Sequence, residues 1–260
     1  MLKGRHWILA ALCLIPFVIN AAADTNTTPS LTGSQSRPTS ETLSREAPGP
    51  TSAQSLTAVD YLRRLEEKNK DVRTMIGDFV QIKESRVFLE EHTYQGRFHY
   101  LKPNRFRIDY TGKDGKKDES TLLMLAEEMW DYTPSLQQAL RVDLRAQGGR
   151  QREINQFLIG FGVQTQKALE FFKVSLGPAD PTGKTFTLVF DARNPDETMN
   201  FSKATITFEA DSLRPRNIIL DEEITGDQTR ITLGDVKYNV SVSESIFQPK
   251  WPKDTEIIHQ

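Results

Sequence analysis

GRFHYLKPNRFRIDY, residues 96–110, is the stretch on which the reading of this chain turns. Tyr94, Gly96, Phe98 and Tyr100 share one face of a first alternating run, and Phe106, Ile108 and Tyr110 share one face of a second. Period-two alternation marks half-buried strands, and Pro103-Asn104 marks the turn between them. The stretch reads as a hairpin with one aromatic face and one charged face. An aromatic face of that size needs a cover, which the rest of the sequence must supply.

Most of the chain on either side reads as more strand. Alternating segments lie at 73–86, 92–101, 105–110, 121–126, 129–132 and 137–142, and later at 172–176, 185–191, 203–209, 214–220, 228–238 and 256–259. Ahead of them stands SLTAVDYLRRLEEKNKDV, with Leu56, Val59, Leu62 and Leu65 at helical spacing and Ser55 or Thr57 placed to cap it. Between the two groups of strands, QREINQFLIGFGVQTQKALEFF places Ile154, Phe157, Leu158 and Phe161 on one helical stripe. Gly160 and Gly162 break it, and a second helical piece follows over 165–171. The fold class is α+β: a curved, incompletely closed antiparallel β-barrel, a half-barrel, whose concave face is covered by the N-terminal helix and a short helical insertion.

The folded domain is expected to span residues 55–260. Residues 1–23 read as a signal peptide: Lys3 and Arg5 form a basic head, an apolar stretch follows, and Ala21-Ala22-Ala23 supplies small residues for cleavage. Cys13 is the one cysteine of the chain and follows Leu12, whereas a lipoprotein signal needs a small residue there. Residues 24–54 are rich in Ser, Thr and Pro, with too few large apolar side chains to offset the entropy of ordering, and read as a disordered linker. Removing Lys3 and Arg5 takes the net charge from −2 to about −4, which gives no general attraction to nucleic acid or anionic lipid. The expected compartment is the periplasm.

Enzyme signatures are scarce. The sequence has no G-x-S-x-G, H-E-x-x-H or C-x-x-C, and the loop TGKDGKK lacks phosphate-loop spacing. His92 and His99, seven residues apart near one strand, point to opposite faces, so no metal site is expected. The neighbouring carboxylates Glu127-Glu128 and Glu222-Glu223 also face opposite ways and read as surface charge. What is plentiful is inward apolar surface: Phe79, Phe98, Tyr100, Phe106, Trp130, Tyr132, Phe186 and Phe208. An ordinary core and a cavity for a large apolar ligand share this alternation, and the pattern leaves both open.

Four pieces, in order, resemble the periplasmic outer-membrane lipoprotein carrier (LolA) family: DFVQ at 78–81, the 96–110 hairpin, MWDYTPSLQQ at 129–138 and LDEEITGDQTRITLGDVKYNVSVSESIF at 220–247. The family often has Arg before the hairpin proline; here it is Lys102. The resemblance implies that Phe79, Phe98, Tyr100, Phe106, Trp130, Tyr132, Phe186 and Phe208 line an acyl-chain cavity. Leu62, Ile154, Phe157, Leu158 and Phe161 would belong to its lid, with Lys102 as the latch. It implies a monomeric carrier rather than an enzyme, without cofactor, that shuttles acylated lipoproteins from an ATP-driven inner-membrane transporter to an outer-membrane acceptor. A periplasmic lipid- or lipoprotein-sensing regulator on the same fold is the alternative.

Deleting residues 24–54 is expected to leave the thermal midpoint of the purified protein nearly unchanged. A large drop in a calorimetric scan would show that the linker packs on the domain.

Overall fold

The computed structural model describes residues 56–112, 119–146, 164–194, 201–222 and 225–260. Helix α1 (Ala58–Asn69) comes first. The Thr57 hydroxyl accepts from the Asp60 amide at 3.2 Å, and the Asp60 carboxylate accepts from the Thr57 amide at 3.0 Å. This reciprocal pair satisfies donors that the start of a helix leaves free.

Six strands follow: β1 (Thr74–Ser85), β2 (Glu90–Leu101), β3 (Arg105–Gly112), β4 (Ser120–Met124), β5 (Glu128–Thr133) and β6 (Gln138–Asp143). Helix α2 (Thr165–Phe171) then leads into β7 (Phe172–Leu176), β8 (Thr185–Ala192), β9 (Lys203–Glu209), β10 (Pro215–Asp221) and β11 (Gln228–Leu233). Two short strands, β12 (Lys237–Tyr238) and β13 (Glu256–His259), end the chain. Across the sheet the order is β13-β6-β5-β4-β3-β2-β1-β11-β10-β9-β8-β7, with β12 beside β1. β13 and β7 are the two ends and do not pair, so the sheet is open, as expected of a half-barrel.

Two features depart from the sequence reading. The run 228–238 is two strands, because the register against β1 shifts by one residue between the Phe79–Leu233 and Ile76–Lys237 pairs, just after the Gly234 amide donates to the Asp78 carbonyl at 2.8 Å. β13 pairs parallel to β6, which the expectation of an all-antiparallel sheet did not include. The C-terminal segment reaches that place by crossing the outer face of the sheet, through a 3-10 turn at Glu244–Phe247.

Cross-strand glycines shape the opening hairpin. Gly96 lies opposite Phe79 and Gly77 opposite Phe98. A Cβ on Gly96 would stand 2.5 Å from the Phe79 ring and 2.6 Å from the Asp109 carbonyl oxygen. Each glycine thus gives up a side chain so that its partner's ring can lie across the strand pair. The turn that joins β1 to β2 carries exposed apolar side chains, Val87, Phe88 and Leu89.

Gly96→Ala is expected to destabilise the fold by about 1–3 kcal/mol, the usual cost of overpacking against a backbone atom that cannot move aside. Urea denaturation at constant m-value checks it.

Candidate functional site

Register assigns each strand residue to a face. Tyr100 opposes Phe106, Phe106 opposes Met124, and Met124 opposes Met129. Phe98 opposes Ile108, Ile108 opposes Leu122, and Leu122 opposes Asp131. On the other side of β1, Phe79 opposes Leu233, and further along the sheet Ile218 opposes Ile206, Ile206 opposes Leu188 and Phe208 opposes Phe186. Apart from Asp131, these residues form one continuous buried cluster on the concave face. Phe98 stacks on Phe106 with centroids 6.0 Å apart, Phe186 on Phe208 at 5.1 Å, and Phe79 meets Tyr110 edge-on at 5.5 Å.

Six of the eight expected cavity residues are therefore together: Phe79, Phe98, Tyr100, Phe106, Phe186 and Phe208. Trp130 and Tyr132 are not. Trp130 opposes Leu123, one register step from the concave row, so both residues of this pair face outward with Tyr132 beside them. They pack in a second cluster with Leu123, Ala139, Phe247 and Trp251. Tyr132 stacks on Trp251 at 4.7 Å, and the Arg141 guanidinium lies 5.5 Å from the Trp130 ring centroid. The sequence reading places them inside because aromatic residues on a strand are usually buried; Trp130 is buried and Tyr132 half-buried, but under the C-terminal segment.

The charged face of the hairpin holds that segment. Arg105 pairs with Glu244 at 2.9 Å. Arg107 donates to the Ile246 carbonyl at 2.9 Å and pairs with Asp109 at 2.7 Å. Neither these arginines nor Phe247 and Trp251 were singled out as contacts from the sequence. The available signal was that Trp130 and Tyr132 share one face of β5 while Met129 lies on the other, so that something must cover each.

The cover of the concave face is α1, whose Ala58, Leu62 and Leu65 enter the main cluster. Tyr61 stacks on Phe186 at 4.1 Å. Thr165, the first residue of α2, donates its hydroxyl to the Glu66 carboxylate at 2.6 Å and ties the two helices together. Lys102 donates its ammonium to the carbonyl of Lys70, the residue that caps α1, at 3.0 Å. A cation is favoured there by the carbonyls and dipole of a helix end. Of the expected lid residues, Leu62 is buried against the concave face from α1, and Ile154, Phe157, Leu158 and Phe161 lie outside the described residues.

One carboxyl breaks the apolar row. Asp131 is partly buried between Leu122 and Leu140, its cross-strand neighbours on the concave face. Burial pushes its pKa from 3.8 up to about 6. Among the described residues, no group of ligating side chains could hold a metal ion, and no helix is long and apolar enough to cross a membrane.

Residues 70–250 match the family model of the outer membrane lipoprotein carrier protein LolA. An uncharacterized conserved protein from Thermus thermophilus superposes with a TM-score of 0.50 at 16% identity, covering 78% of this chain and 99% of its own. A LolA superfamily protein from Nitrosomonas europaea gives 0.40 at 11% identity, over 75% of this chain and 98% of its own. A chain of the MucA/MucB complex of Pseudomonas aeruginosa gives 0.39 at 13% identity, over 77% of this chain and 63% of that one. No curated protein sequence matches.

Asp131→Asn tests the environment of the concave face. A carboxyl whose pKa is raised by folding costs stability wherever it must ionise. The penalty is full above about pH 6, shrinks between pH 6 and 4, and is gone below the unfolded value near 3.8. The variant should be more stable than wild type by ~1–2 kcal/mol at pH 7–8, with no difference once the pH is below that unfolded value, in matched urea titrations.

Proposed function

The chain belongs to the outer membrane lipoprotein carrier protein (LolA) family, and we propose that it is a periplasmic carrier of acylated lipoproteins. It would take them from an ATP-driven transporter of the inner membrane and pass them to an acceptor at the outer membrane. In this reading residues 1–23 export the chain, residues 24–54 are a disordered linker, and the domain from residue 55 carries the cargo. The observation that supports it best is the concave aromatic floor lying under a separate helical cover. A lipid anchor in water is costly, at ~0.8 kcal/mol per methylene. Several chains of about sixteen carbons amount to tens of kcal/mol, which a water-borne shuttle must hide.

Acyl chains offer no hydrogen-bonding handles, so a floor of Phe79, Phe98, Tyr100, Phe106, Phe186 and Phe208 suits varied cargo. The floor is closed under α1: Tyr100, Phe106 and Leu62 are each 0% exposed. Loading therefore requires α1 to move off, and closure competes with cargo. Any contact that favours the closed form, such as Lys102 on the end of α1, lowers affinity and promotes release. The chemistry is binding and release, with no bond broken and no cofactor used.

The test is isolation of the protein from the periplasm, with mass spectrometry of what comes with it. Acylated proteins should copurify, and the purified protein should release lipoproteins from inner-membrane preparations into solution. A regulator on the same fold would bind without releasing them. Lys102→Leu should load cargo as well as wild type or better, yet hand it to outer-membrane preparations several-fold more slowly, with stability changed by only about 1 kcal/mol. Transfer at the wild-type rate would remove the latch role.

A further inference from the structure

Gln81 belongs to the DFVQ stretch at 78–81. It stands two residues after Phe79 in β1 and so shares the concave face. Its register partners are Tyr94 on β2 and Ile231 on β11. The residue is 2% exposed, and its Oε1 is buried without a hydrogen-bond partner. Buried amide oxygens are almost always paired, because an unpaired one never recovers the water it lost. The ladder itself does not require an amide here, since strand pairing uses only the backbone, and a Leu or Met would fill a similar volume.

Its place on the floor gives the oxygen a use. Along β1 the concave face changes character at Gln81. On one side lie Phe79, Phe98 and Phe106. On the other side, toward the β1–β2 turn, the next concave position is Lys83, flanked by Thr229 and His92. At Gln81 the concave surface changes from apolar to polar, with one buried acceptor at the boundary, before the exposed apolar side chains of the turn. A ligand with the same division would lie with its chains over the phenylalanines and its polar end toward the turn.

We propose that Gln81 is a binding residue for the head of an N-acylated ligand. Its Oε1 accepts a hydrogen bond from a secondary amide N–H at the junction of acyl chain and peptide. This sets the orientation of the cargo, with the acyl chains toward Phe106 and the peptide leaving by the β1–β2 end. The contact forms when the cover is off, and the amide oxygen that is unpaired in the closed protein becomes paired in the loaded one. The inference rests on the acyl-carrier reading above.

Two ligands of equal chain length separate the possibilities: N-methyldodecanamide, which has one N–H, and N,N-dimethyldodecanamide, which has none. Each displaces an environment-sensitive fluorescent fatty acid from wild type and from Gln81→Leu. Wild type should bind the N–H amide about tenfold more tightly, the worth of one buried neutral hydrogen bond. The variant should bind both about equally, having lost affinity only for the first. Its thermal midpoint should match or exceed that of wild type, because an unpaired buried acceptor has been replaced by an apolar group. Gln81→Met serves in the same way if the Leu variant does not fold. Equal binding of the two amides by wild type, or a preference that survives in the variants, overturns the subsite while leaving the carrier reading in place. Failure of wild type to bind either amide overturns both. If neither Leu nor Met is tolerated, Gln81 serves the fold and the proposal falls.

Discussion

The pairing of β2 with β3 is the constraint on which the rest of the structure depends. Tyr100 opposite Phe106 and Phe98 opposite Ile108 put four large apolar side chains on one face. Arg105 and Arg107 then necessarily take the other. A slip of one residue would bury the arginines and expose the rings, so the register is held by the full cost of that exchange. Once it is fixed, the ladder carries it outward through β4 and β5 on one side and β1 and β11 on the other. Each further strand inherits its parity from this hairpin. The glycines opposite Phe79 and Phe98 reinforce it, since in another register those rings would meet a Cβ.

An open sheet is stable only where each apolar face is covered, and the two faces are covered by different means. The outer face takes the C-terminal segment, held by Arg105 to Glu244, by Arg107 to the Ile246 carbonyl, by the stacking of Trp251 on Tyr132, and by the β13–β6 ladder. The concave face takes α1, which contributes no backbone pairing to the sheet. Its attachments are packing, the Glu66–Thr165 bond to α2 and the Lys102 bond to the carbonyl of its capping residue. The outer cover is thus part of the sheet's own hydrogen-bonding, and the inner one is laid upon it.

Much of this was legible in the sequence because alternation and helical spacing are local signals. The strands 172–176, 203–209 and 256–259 and the helix 165–171 fall where their patterns put them. The face of β5 was not legible in the same way. Met129 and Asp131 compete with Trp130 and Tyr132 for the concave side, and hydrophobicity alone favours the aromatic pair. Pairing decides otherwise: Met124 opposes Met129 across the short β4–β5 turn, which leaves Asp131 inside. The residues that make the outward choice tolerable, Phe247 and Trp251, lie more than a hundred positions away, beyond the reach of any local pattern. The parallel β13–β6 pair was hidden for the same reason. Lys102 was legible as a turn cation, but its acceptor depends on where α1 ends relative to the hairpin, which only the assembled fold specifies.

For the proposed carrier, the division between the two covers bears on how the concave face would open without unfolding. Were α1 tied into the sheet by backbone pairing, lifting it would break the ladder and expose edges as well as rings. As it is, the chain passes from the end of α1 into β1 within a few residues, and contacts of the first strand hold that junction. The Arg73 amide donates to the Asn239 side chain at 2.7 Å, and the Thr74 hydroxyl donates to the Val240 carbonyl at 2.6 Å. The fixed point therefore lies just past the helix, and the bond from Lys102 to Lys70 lies just before it. In that reading, motion of α1 about this place would leave the sheet, its register and its outer cover intact. The energy that resists opening is then chiefly the apolar contact of Ala58, Leu62 and Leu65 with the floor, the kind of contact that an acyl chain can replace in kind.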